Sequence, residues 1–143
     1  MAHRKLGYLV IAIGLCYLVF ALFGFIQISD NSTVGGDLRG GNPPDLLWGV
    51  FGVSTVHNFI NVLLGGITLV GGFTFPKSRL ITACAAIGFA LVTVYGVIAI
   101  LVRGNAIDPL SITWGDNILH LVTAVVLGVL ATAVREHSRT EVH

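Results

Sequence analysis

Charge is what this sequence has least of. Its 143 residues include 8 Lys or Arg and 7 Asp or Glu, 10% in all. A soluble domain carries roughly a quarter. So few charges cannot coat a water-facing globule, and a net charge of +1 leaves no basic surface for nucleic acid. Cysteine is nearly absent. Cys16 and Cys84 both lie inside apolar runs, which excludes a disulfide framework and reads as small buried hydrophobes. No CxxC or Cys/His spacing suggests zinc. Ser/His/Asp or Cys/His sets with catalytic spacing are also missing, so no enzymatic activity is expected. The glycine-rich "GGDLRGG" (residues 35–41) follows no strand and is not a nucleotide loop.

What is present is apolar. Hydrophobic residues make up 55% of the chain, and the mean hydropathy is +0.88. Crossing about 30 Å of hydrocarbon takes about 20 such residues. Four runs qualify: about 6–28, 46–72, 80–102 and 115–134. They are continuous rather than alternating, so they predict helices and not barrel strands. The first is too long for a signal peptide and lacks a small-x-small cleavage site, so it reads as a retained span. The expectation is one domain, residues 1–143: an all-α, four-transmembrane-helix bundle, with 135–143 as a solvated tail.

The basic residues orient it. Arg4 and Lys5 precede the first span, Lys77 and Arg79 separate the second and third, and Arg135 and Arg139 follow the fourth. Arg39 and Arg103 fall on the other side, where Asp30, Asp37, Asp45 and Asp108 gather. By the positive-inside rule both termini are cytoplasmic, in a plasma (inner) membrane.

Two stretches match. "NPPDLLW" spaces Asn42 from Trp48 as "DPLSITW" spaces Asp108 from Trp114. Asn or Asp before Pro is a helix start, so spans two and four are expected to begin there, each Trp anchoring at the membrane interface. Further on, "HNFINV" aligns with "DNILHL": His57 with Asp116, Asn58 with Asn117, Asn61 with His120. The first motif lies seven residues deeper after its Trp, close to two helical turns, so its face is kept. Small residues follow on the same faces, Gly65 in one case and Ala124 and Gly128 in the other, which suits close helix packing. The reading is a repeated helical hairpin, with spans two and four facing each other.

Polar groups at this depth are expensive, roughly 2.5–3.5 kcal/mol for a charge at a helix centre. His57, Asn58, Asn61, Asp116, Asn117 and His120 should therefore face inward as one layer and hydrogen-bond with one another. Such a layer can be an interhelical clasp. It can also be a proton or small-solute conduit, in which Asp116, His120 and His57 act as a relay; Thr68, Thr123 and Thr132 are all that continues it inward. A b-type haem between His57 and His120 is a lesser option, weakened because His57 aligns with Asp116. A metal site on His57, Asp116 and His120 is no better supported. No cofactor is called for. Tyr17, Tyr95 and Gln27 read as interface or interhelical groups.

The pairing of "VSTVHNFINVLLG" with "WGDNILHLVTAVVLG" resembles the small bacterial four-span membrane proteins catalogued as domain-of-unknown-function family 4383, from about Leu6 to Val134. The "HN" of span two and the "DNxLHL" of span four (Asp116, Asn117, Leu119, His120, Leu121) carry it. The family pattern commonly places a second histidine where this chain has Asn61, which disfavours a mechanism built on histidines at Asn61 and His120. The resemblance implies fold, location and an important polar layer, and no chemistry. The leading expectation is a structural or accessory membrane protein whose partners are the lipid bilayer and either further copies of itself or a larger membrane complex. The alternative is the conduit.

Overall fold

The computed structural model describes residues 2–31, 45–75, 79–102 and 109–140. They form α1 (Ala2–Asn31), a two-stranded hairpin of β1 (Asp45–Leu47) and β2 (Phe51–Val53), α2 (Thr55–Thr74), α3 (Arg79–Val102) and α4 (Trp114–Thr140). All four helices are long and apolar enough to cross a membrane. Leu22, Leu63, Leu91 and Leu101 are among the many large apolar side chains turned outward, as expected of helices solvated by lipid.

The helices pack as two antiparallel pairs, α1 on α2 and α3 on α4; α2 meets α3 less extensively and α1 meets α4 less again, while α1 with α3 and α2 with α4 stand diagonally and approach least. Within the first pair, Gly7 faces Gly72 and Gly14 faces Gly65, and a Cβ at Gly14 would come within 2.7 Å of the α2 backbone. Small residues thus let the two backbones approach. The core is formed by Val10, Tyr17, Leu64, Ala85, Phe89, Ala124 and Leu127. A larger share of residues is buried in α2 and α4 than in α1 and α3, but the two helices expected to face each other are not among the closely packed pairs of the described residues.

The buried faces of the two pairs correspond. Each of His57, Asn58, Asn61, Leu64, Gly65, Thr68, Gly71 and Gly72 in α2 has a buried counterpart in α4, from Asp116, Asn117 and His120 to Ala131, at one constant spacing. Val10, Gly14, Tyr17, Ala21 and Gly24 of α1 stand in the same relation to Thr82, Ala86, Phe89, Thr93 and Gly96 of α3.

Several expectations need correcting. Span two does not begin near Leu46. Its first apolar residues form the β hairpin, and the helix starts at Thr55. Gly49 and Gly52 each disfavour helix by roughly 1 kcal/mol, while Val50, Phe51 and Val53 suit strand. Ser54, extended at φ −147 and ψ 157, supplies the N-cap. Trp48 therefore lies outside the helix, in the hairpin turn at φ 52, next to Gly49 at φ 73. The expected caps Asn42 and Asp108 lie outside the described residues. α2 ends at Phe75, held extended (φ −66, ψ 136), as residues before proline are, and Pro76 follows. α4 continues to Thr140, through much of the segment expected as a tail. Gly128 is not a packing glycine, because a Cβ there would meet nothing within 4 Å. Cys16 and Cys84 are exposed rather than buried; each lies one position off a buried face, beside Tyr17 and Ala85.

Candidate functional site: a polar layer beneath the hairpin

The two motifs start their helices in the same way. Ser54 Oγ accepts from His57 N at 3.1 Å, and Asn58 N donates to Ser54 O at 2.9 Å. In α4, Thr113 Oγ1 accepts from Asp116 N at 3.3 Å, and Asn117 N donates to Thr113 O at 3.1 Å. Asp116 Oδ2 in turn accepts from Thr113 N at 2.8 Å, which closes a capping box. His57 and Asp116 therefore occupy the same position, three residues after the cap. The seven-residue offset measured from the tryptophans disappears, because the hairpin accounts for it.

From this shared position His57 and Asp116 reach the backbone of one residue, Gly52. Gly52 N–H donates to Asp116 Oδ2 at 2.9 Å. Gly52 O lies 3.2 Å from His57 Nδ1, and since a carbonyl only accepts, Nδ1 carries the proton and donates. Gly52 presents one donor and one acceptor, and the two helices supply an acceptor and a donor. Nothing larger than glycine fits, because a Cβ would overlap the Ser111 carbonyl oxygen. Thr113 Oγ1, 2.8 Å from both Val50 O and Asp116 Oδ2, adds a second tie to the hairpin. Ser54 Oγ donates to Pro109 O at 2.8 Å. The hairpin and the 109–113 segment thus close this end of the bundle, with Leu47, Val53, Leu110 and Ile112 buried beneath them.

All six residues of the expected layer are buried, but they do not all meet. His120 Nε2 lies 3.3 Å from Asn61 Oδ1, a side-chain bond that joins the motifs. The His120 ring contacts His57 edge to face at 5.5 Å, stacks on Tyr17 at 5.9 Å and lies 5.8 Å from Phe89. Tyr17 reaches across from α1: its hydroxyl is 3.0 Å from Thr123 Oγ1 and 3.4 Å from Leu119 O. Asn58 and Asn117 turn away from the centre toward the outer helices. The space a Cβ would need at Gly24 is filled by the Asn58 amide, and that at Gly96 by the Asn117 amide. Asn58 Nδ2, Asn61 Nδ2, both amide atoms of Asn117, Asp116 Oδ1 and His120 Nδ1 have no hydrogen-bond partner among the described residues.

Chemically, the arrangement is a clasp with spare polar capacity. The imidazole rings of His57 and His120 have centroids 5.5 Å apart and planes at 71°. His57 Nδ1 and Asp116 Oδ2 are both turned to Gly52, and among the described residues no group of three His, Cys, Asp or Glu could hold a metal. On the apolar side of the layer Leu64, Phe89, Leu127 and Leu130 are buried; Thr68 bonds back to Leu64 O at 2.7 Å, and Thr132 is exposed. Trp48 and Trp114 are both exposed, one in the hairpin turn and one in the first turn of α4.

Sequence reasoning missed Gly52, Ser54 and Thr113. The capping pattern Thr113-x-x-Asp116 was visible in the sequence. Gly52 had only a glycine inside an apolar run to mark it. No curated protein and no solved structure matches the chain. Residues 8–133 match the family described as Domain of unknown function (DUF4383), and the chain belongs to that family.

Proposed function

We propose that the protein is a structural or accessory subunit of the plasma (inner) membrane, without enzymatic activity, that self-associates or packs against a larger membrane complex. One observation carries this reading: the ionisable residues of the layer are engaged in holding the chain's own hairpin. His57 and Asp116 grip Gly52, and His120 is boxed by Tyr17, Phe89 and His57. Buried leucines lie between the layer and the end where α1 begins and α2 ends. Exposed Lys5 and Arg79 lie at that end, which suits cytoplasmic termini. The test is crosslinking in native membranes followed by native mass spectrometry. A homo-oligomer or a reproducible membrane partner is expected; a monomer that captures neither would overturn the proposal.

A second reading, a proton or small-solute conduit, draws on the unpartnered atoms of Asn61, Asn117, Asp116 and His120, since buried polar groups normally find partners. Its measure is flux into proteoliposomes. Loss of flux in His120→Ala favours it, and equal flux in wild type and variant removes it.

A further inference from the structure

The hairpin's outer face is unlike a loop that meets water. Leu46 to Val53 reads LLWGVFGV, with no polar side chain. Leu47 and Val53 turn inward and are buried, whereas Leu46, Trp48 and Val50 are 40%, 64% and 52% exposed. In water this would be an apolar sheet edge open to aggregation.

Its depth is fixed by aromatic contacts with α1. The Trp48 ring lies 6.1 Å from Phe20 and 5.8 Å from Phe23, and Phe51 packs edge to face on Phe20 at 5.0 Å. The apolar span of α1 runs to Ile28. At 1.5 Å per residue, Phe23 sits about 7 Å inside that limit and Phe20 about 12 Å. Leu22 and Val19, beside them on α1, are exposed and lipid-facing. The outer face of the hairpin is continuous with this surface.

Non-helical backbone at such depth needs its polar groups taken up by protein or by a water-filled cavity. Here Gly52 N–H and C=O are bound by Asp116 and His57, and Val50 O by Thr113. Polar residues at the starts of two spanning helices thus serve the backbone of the inserted strand.

We infer that the hairpin is a re-entrant element seated in the bilayer, with Leu46, Trp48 and Val50 against lipid acyl chains just below the headgroups. It is a lipid-contact surface, coupled through Gly52 to His57 and Asp116. A bilayer that thins or is perturbed at this depth therefore acts on the polar layer directly.

Trp48 is its own reporter once Trp114→Phe removes the other tryptophan. In proteoliposomes made with lipids brominated at defined acyl positions, Trp48 emission is lost most to bromines near the headgroup end and resists aqueous acrylamide. Quenching by acrylamide without quenching by bromolipid would place the face in water and overturn the proposal. Shielding from both, with Leu46→Cys crosslinking between copies, would show protein covering it and also overturn it. Should the tryptophan variant fold poorly, Val50→Cys with Cys16→Ser and Cys84→Ser carries a nitroxide instead. Greater collision with oxygen than with a water-soluble nickel complex supports lipid contact, and the reverse refutes it.

Discussion

The α1–α2 and α3–α4 pairs share most of a buried face at matching positions, yet differ at the residues that give the layer its chemistry. Packing positions are conserved in kind: Gly24 and Gly96 each receive an asparagine amide, from Asn58 and Asn117. Other positions part company. His57 stands where the second pair has Asp116, Asn61 where it has His120, Tyr17 where it has Phe89, and Leu64 where it has Thr123. The first difference has a physical reason. The N–H and C=O of one residue, Gly52, cannot both be served by two carboxylates or by two N–H donors, so two equivalent helix starts must differ to hold one hairpin. Tyr17 and Thr123 are coupled likewise, one hydroxyl on each pair, bonded to each other at 3.0 Å.

Substitutions can break this comparison in graded steps. Gly52→Val should be most damaging, since it drives a side chain into Ser111 and detaches both grips on the peptide; a loss above about 3 kcal/mol is expected, read as the unfolding midpoint in detergent. Asp116→Ala strands the Gly52 and Thr113 amides and should cost about 2–3 kcal/mol, with Asp116→Asn milder because an amide oxygen still accepts. Gly24→Val and Gly96→Val should each cost about 1–3 kcal/mol, and by similar amounts; tolerance at one and collapse at the other would show that the pairs are not equivalent. Tyr17→Phe, which makes α1 resemble α3, removes the Thr123 bond and should cost about 0.6 kcal/mol, the average for such bonds in membranes. All six are read on the same unfolding curve.

Much of the fold was legible. Four apolar runs announced four helices, and His57 and Asp116, aligned in the sequence, each stand three residues after a helix cap. The buried positions of Asn58, Asn61, Asn117 and His120 followed from the expense of polar groups in lipid. The hairpin was hidden, because hydropathy cannot separate a lipid-seated strand pair from the helix that follows, and Leu46 to Gly72 reads as one run. Gly49 and Gly52 were the available signal. The role of His57 and Asp116 was hidden for another reason: their partner is backbone, which side-chain patterns do not display. The expectation that all six residues bond with one another failed at Asn58 and Asn117, whose amides fill the glycine notches of α1 and α3.

The grip on Gly52 is the central claim, and amide hydrogen exchange reads it directly. In lipid nanodiscs the Gly52 amide should be protected like the helical amides of α3. Asp116→Ala should speed its exchange while leaving Phe89 and Thr93 unchanged. Fast exchange at Gly52 in the wild type, or exchange indifferent to the loss of Asp116, would contradict the account.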